Sequence, residues 1–257
     1  MPDNIFKRPN WIFFDLDDTI WDFKNNSIKS LRKLYESSPI LKKYFKSFEE
    51  LDKEYHVHNS FLWNALAAGQ ISSTDLKTER WRRTLQSKTF EVLTAVCEEL
   101  DTSYLDILSS MPEVTEGTTE ILKRLSQKYL IGVLSNGFPA TQYKKLRSSG
   151  LQKYITRMIV SEEIGKAKPN KDLFQYAISE TGAVPPYLMV GDNLEADVIG
   201  ALQAGWYSIW MTSSDNEMPD MMKLSAERNF NPQLFLGKVN GMKEAESVIN
   251  IFFNPKK

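Results

Sequence analysis

The stretch Trp11-Ile12-Phe13-Phe14-Asp15-Leu16-Asp17-Asp18-Thr19 constrains this chain more than any other. Trp11 to Phe14 is an unbroken apolar run, which predicts a short buried strand. Three carboxylates and a hydroxyl follow within five positions. A strand that ends in clustered acids sets like charges along the carboxyl edge of a sheet. That is costly unless a cation or a basic side chain sits there. In open α/β sheets this edge is where ligands bind. At the strand tip, Asp15 suits a nucleophile and metal ligand. Asp17, two residues on, suits a general acid/base, and Asp18 is expected to point away. An Asp-rich turn capping a helix would look the same locally, so the rest of the chain must decide.

From about Asn25 to Leu108 the apolar residues recur at helical spacing: Ile28, Leu31, Leu34 and Tyr35, then Phe48, Leu51 and Tyr55, then Phe61, Leu62, Ala65 and Leu66. Leu76, Arg80, Trp81 and Leu85 continue the pattern, followed by Phe90, Leu93, Val96, Cys97 and Leu100. This block predicts a four- or five-helix insertion. After Met111 strands and helices alternate. Strands are expected at 130–134, 156–160, 187–190 and 208–211, and helices at 118–128, 141–149, 171–181 and 194–204. An edge strand near 234–236 and a last helix over 242–252 complete the plan. The expectation is α/β: a doubly wound parallel sheet with an inserted all-helical cap, the core being 1–22 and 109–257 and the cap 23–108.

If the sheet is parallel, the other strand ends should meet Asp15. They carry Ser135-Asn136-Gly137, then Lys166-Ala167-Lys168-Pro169, then Gly191-Asp192-Asn193 with Asp197 a turn later. A hydroxyl beside backbone N–H groups suits an anion. Lys168 can neutralise charge between Asp15 and a phosphate, with Lys166 as a competitor. A second acidic cluster is what a hard cation such as Mg²⁺ needs. Four coincident strand ends leave little room for four unrelated turns.

Composition excludes several classes. A formal charge of −1 gives no case for a nucleic acid polymer or a membrane surface as partner. Arg80, Arg82 and Arg83, like Lys144, Lys145 and Arg147, read as solvated helix faces. Cys97 is the only cysteine, so no internal disulfide forms and a cytoplasmic location is expected. His56 and His58 are two apart, which on a helix puts them on different faces, so they read as surface or packing residues. The chain is expected to act as a monomer or homodimer on a small molecule.

Taken together, Asp15-Leu16-Asp17-Asp18-Thr19, Ser135-Asn136-Gly137, Lys168-Pro169 and Gly191-Asp192-Asn193 through Asp197 resemble the four motifs of the haloacid dehalogenase superfamily. The helical insertion resembles the subfamily whose cap follows the first motif. The resemblance implies a phosphatase. Asp15 would form an aspartyl-phosphate, and Asp17 would protonate the leaving oxygen and then activate water. Thr19, Ser135 and Asn136 would hold the phosphoryl oxygens while Lys168 neutralises them. Mg²⁺ would be held by Asp15, Asp192 and the carbonyl of Asp17, with Asn193 and Asp197 behind them. Dehalogenases of the superfamily lack an acid at the place of Asp17, so its presence points to phosphate chemistry. Sugar phosphate mutases share the motifs and stay open, as does a non-catalytic phosphate binder. Lys24 is placed for phosphonatase chemistry by position only.

Thr19 to Phe23, with Leu62-Trp63 and Arg80-Trp81-Arg82-Arg83, is similar to a narrower branch of 5′-nucleotidases. Trp21, Phe23, Trp63 and Arg80 are therefore candidates for substrate specificity. Trp21 or Phe23 would stack on a base, the alternative being that both pack the core.

Overall fold

The computed structural model describes residues 10–86, 93–213 and 215–253. Phe90, expected in the helical block, lies outside them. The chain divides into two compact units, Met1–Asp22 with Glu113–Lys257, and Phe23–Pro112.

The first unit is an α/β core. Its six strands are β1 (Trp11–Phe14), β2 (Leu130–Ser135), β3 (Arg157–Val160), β4 (Leu188–Gly191), β5 (Tyr207–Met211) and β6 (Phe235–Val239). They form one sheet in the order β3-β2-β1-β4-β5-β6, and every pairing is parallel. β1 is central, flanked by the strand that follows it on one side and by β4 on the other. That reversal of winding is the switch point at which open α/β sheets hold ligands. Phe14 aligns with Val133 and with Val190. The residues just past these three positions therefore emerge at one level.

β1 and β4 are buried throughout, as unbroken apolar runs require in a sheet covered on both faces. Phe13, Phe174 and Trp206 pack together in one core cluster, with Phe13 4.9 Å and Phe174 5.3 Å from Trp206 between ring centroids. The expected edge strand is longer than its apolar core suggested. β6 runs to Val239 because Lys238 and Val239 pair with Trp210 and Met211.

Helix α6 (Thr118–Leu125) precedes β2, and α7 (Pro139–Ser148) begins earlier than expected, with Pro139 in the first turn, where a missing N–H costs nothing. The segment expected as one α-helix after β4 instead starts as a π-turn over Leu194–Ile199. Asp197 N–H and Val198 N–H both donate to the Asn193 carbonyl, at 3.0 and 3.3 Å. The wide turn accommodates Asp197 at the sheet edge, a common setting for π-turns.

The second unit comprises α1 (Phe23–Ser37), α2 (Pro39–Tyr44), α3 (Phe48–Ala67), α4 (Ser73–Gln86) and α5 (Thr94–Ser109). Its core holds Leu31, Leu51, Tyr55, Leu62, Trp81 and Tyr104. The Arg80 side chain lies inside this unit, which corrects its reading as a solvated residue. Its Nε donates to Asp101 Oδ1 at 2.6 Å, and its guanidinium carbon sits 5.5 Å from the Tyr104 ring centroid. Paired and buried, Arg80 is a tie between α4 and α5 rather than a specificity residue. His56 and His58 each face an acid one turn earlier on α3, Asp52 at 3.3 Å and Glu54 at 3.8 Å.

Among the described residues, no helix is long and apolar enough to cross a membrane.

Candidate active site

β1 delivers Asp15 to the carboxyl edge of the sheet, where its N–H donates to the Val190 carbonyl at 2.9 Å. The chain then turns tightly, with Ile20 and Trp21 N–H groups both returning to the Leu16 carbonyl. Asp18 takes a left-handed φ of 57°, which Asp tolerates better than most residues. The turn leaves Asp15 and Asp17 on separate partners.

Lys168 is almost wholly buried. Its ammonium donates to Asp15 Oδ1 at 2.5 Å and to the Leu134 carbonyl at 2.6 Å, and lies 2.6 Å from Asp197 Oδ1. Two of its hydrogens are thus donated, and the Asp197 carboxylate faces it as an ion pair. Burial by itself would lower the Lys168 pKa. The charges of Asp15 and Asp197 outweigh it and hold the ammonium above the ordinary lysine value. Among the described residues Lys166 pairs with Asp172, and it is half exposed, so it lies away from Asp15.

Asp197 Oδ2 also accepts the Asn193 N–H at 3.0 Å, and the Asn193 side chain caps Ala196 N–H. A Cβ on Gly191 would lie 2.3 Å from Asp197 Oδ2. Only glycine lets this carboxylate approach the strand tip. Asp192 accepts from Thr19 Oγ1 at 3.3 Å, and its carbonyl accepts from Trp210 Nε1 at 2.8 Å.

Oxygens of Asp15, Asp192 and Asp197 lie within 4.8 Å of one another. These three carboxylates face one buried ammonium, so two negative charges are left over. Burial, followed by the neighbouring acids, pushes Asp15 well above the ordinary carboxylate range, although Lys168 pulls the other way. Burial and the charges of Asp197 and Asp18 push Asp192 up to about 7. An all-oxygen cluster with surplus negative charge fits a hard divalent cation.

That surplus has a measurable consequence. In the cation-free protein Asp192 titrates near 7 when folded and near its ordinary 3.8 when unfolded. Between those values the folded state binds more protons, so stability falls as pH rises through this window. A divalent cation should therefore raise the melting temperature more at pH 8 than at pH 5. Thermal melts with and without millimolar MgCl₂ test this. An equal or larger gain at pH 5 would contradict the electrostatic account.

Ser135 lies at the tip of β2 and is buried. Its oxygen accepts from Gln142 Nε2 at 2.6 Å and from Gly137 N–H at 3.3 Å, which leaves its hydroxyl hydrogen to donate.

Several expected site residues have other work. The Asn136 side chain pairs with both backbone groups of Lys168, each at 2.9 Å, so it holds the lysine loop. Thr19 is fully buried and its hydroxyl turns to Asp192 rather than to a phosphate. Trp21 is fully buried, with Lys145 Nζ 4.5 Å from its ring centroid, so it packs the core and offers no face for a base. Phe23 and Trp63 are half-buried in the helical unit.

Two residues of α7 escaped the sequence reading. Lys145 was expected on a solvated face, yet it is buried with its Nζ 2.6 Å from Asp17 Oδ1. Gln142 Nε2 donates to Asp17 Oδ2 at 2.8 Å. The available signal was their spacing of three on a helix starting at Pro139, which puts both on one face.

The haloacid dehalogenase-like hydrolase family model matches residues 9–205. The chain is 29% identical over 214 residues to the pyrimidine 5′-nucleotidase YjjG of Escherichia coli, covering 82% of this chain and 89% of that one. It is 30% identical over 220 residues to the putative HAD-hydrolase YfnB of Bacillus subtilis, covering 84% and 86%. The crystal structure of YfnB bound to magnesium superposes with a TM-score of 0.77 at 26% identity, covering 95% of this chain and 100% of that one. Human N-acylneuraminate-9-phosphatase is 27% identical over 222 residues, covering 80% and 84%. A match over most of the length, with the four strand ends meeting around Lys168, makes this chain a hydrolytic enzyme belonging to the haloacid dehalogenase-like family.

Proposed function

We propose that this protein is a Mg²⁺-dependent phosphomonoesterase working through an aspartyl-phosphate on Asp15, with a nucleoside 5′-monophosphate as the first substrate to test. The observation that carries the reading is the separation of the two acids. Asp15 is tied to Lys168 at 2.5 Å, whereas Asp17 is tied to Gln142 and Lys145. A nucleophile and a general acid/base need such different surroundings on one loop.

In this reading an Asp15 oxygen bonds to phosphorus as the ester P–O bond breaks, and Asp17 gives its proton to the leaving oxygen. Asp17 then takes a proton from water, which attacks phosphorus and releases phosphate from Asp15. Ser135 donates to a phosphoryl oxygen, and Lys168 offsets the charge on the transferring group. Asp15, Asp192 and the Asp17 carbonyl would hold Mg²⁺, which neutralises charge on the phosphoryl group when bound.

The nucleotide preference is supported by the E. coli relative's name and by the segment Thr19 to Phe23, without the stacking role first considered for Trp21. The N-acylneuraminate-9-phosphatase relative favours a sugar phosphate as the second reading. A phosphate-release screen over nucleoside monophosphates, sugar phosphates and small acid phosphates separates them. Release is expected with MgCl₂ and lost with EDTA, and is highest on a pyrimidine nucleotide. Isomerised sugar phosphate without free phosphate would make the protein a mutase. Tight binding without turnover across the panel would sink the enzymatic reading.

A further inference from the structure

We propose that Gln142 and Lys145 are positioning residues that fix the Asp17 carboxylate over the phosphoryl site. This rests on the phosphatase reading of Asp17 and extends it to helix α7.

The geometry is specific. Each oxygen of Asp17 receives one donor, Oδ1 from Lys145 and Oδ2 from Gln142. Two bonds to the two oxygens of one carboxylate stop rotation about its side-chain torsions, which a single bond would allow. Both donors belong to one helix face, so they move as one body. The Asp17 side chain keeps 30% exposure while Lys145 keeps 3%. The carboxylate is thus gripped from behind and open in front.

Gln142 also donates to Ser135 Oγ at 2.6 Å. One amide group therefore links the acid/base to the hydroxyl placed for the phosphoryl oxygens. Gly137 protects that link, because a Cβ there would lie 2.4 Å from Gln142 Cδ. A misplacement of about 1 Å at a reacting group can cost on the order of 100-fold in rate, so this grip is worth testing as chemistry.

A lysine that merely tied α7 to the loop would give a uniform loss of folded enzyme. A positioning lysine gives a different pattern, because Asp17 acts in both half-reactions. Dinitrophenyl phosphate has a leaving group that needs no proton, whereas an alkyl phosphate needs one. Lys145→Met should still form the aspartyl-phosphate from dinitrophenyl phosphate but hydrolyse it ~100-fold more slowly. Stopped-flow traces should then show a dinitrophenolate burst of about one per enzyme, and acid-quenched protein should carry more phosphate than wild type. With the alkyl phosphate the same variant should be slow without a burst. Lys145→Arg, which keeps a donor, should recover part of the rate. The MgCl₂-dependent rise in melting temperature should persist in both variants.

If Lys145→Met misfolds, Gln142→Met and Gly137→Ala test the same link and should show the same accumulation of phosphoenzyme. Equal loss on both substrates with no excess phosphoenzyme overturns the proposal, as does turnover within about threefold of wild type. Should wild type release no phosphate from any ester, the phosphatase reading itself fails. Should wild type turn over while these variants match it, only the positioning role fails.

Discussion

Asp15→Asn is expected to lower phosphate release by at least ~10³-fold while leaving the protein folded. The amide keeps the shape of the carboxylate but loses the anion that would attack phosphorus. Asp15 sits among acids in a buried site, so its charge is unfavourable until a cation arrives. Removing that charge should leave the cation-free melting temperature equal to wild type or higher. The same substitution should abolish most of the stabilisation by MgCl₂, because one of the three clustered carboxylates is gone. Phosphate release and thermal melts on one preparation check both halves. Near wild-type turnover would show that Asp15 is not the nucleophile.

Lys168→Met is expected to be the most destabilising single change at the site. The ammonium balances Asp15 and Asp197 inside the protein and satisfies the Leu134 carbonyl. Removing one member of a buried ion pair strands the other, at about 3–5 kcal/mol. For a chain of this size that corresponds to a fall of ~10 °C in melting temperature. Turnover should fall as well, since no cation then faces the phosphoryl group from this side. The loss should be smaller at low pH, where the stranded carboxylates take up protons. Urea unfolding at pH 5 and pH 8 measures this. A variant as stable as wild type at pH 8 would mean that Lys168 does not hold the cluster together.

Much of this site was legible in the sequence because strand tips are legible. Short apolar runs ending in Asp15, Ser135 and Gly191 mark where a parallel sheet exposes its carboxyl edge, and parallel order brings those ends together. The fold was legible for the same reason, since alternating strand and helix periods admit few topologies. What stayed hidden depends on partner choice rather than on pattern. Lys145 and Arg80 belong to basic clusters whose spacing looks solvated, and only the opposing Asp17 and Asp101 draw them inside. Asn136 and Thr19 are small polar groups beside a ligand site. Their side chains bond the Lys168 backbone and Asp192, partners that no local pattern announces. The π-turn after Asn193 was invisible because an apolar period near 3.6 does not register one extra residue within a turn.

The connection between the two units has a bearing on how such enzymes diversify. Trp21 bridges antiparallel to Val114, and Asp22 N–H donates to the Glu113 carbonyl at 3.2 Å. The polypeptide thus exits and re-enters the sheet layer through a single doorway, already zipped shut. A short hairpin turn joining those two positions would preserve every strand, and a helical block of another size could be spliced in at the same seam. The helical unit and the sheet are thereby written on separable stretches of gene, which can change length independently.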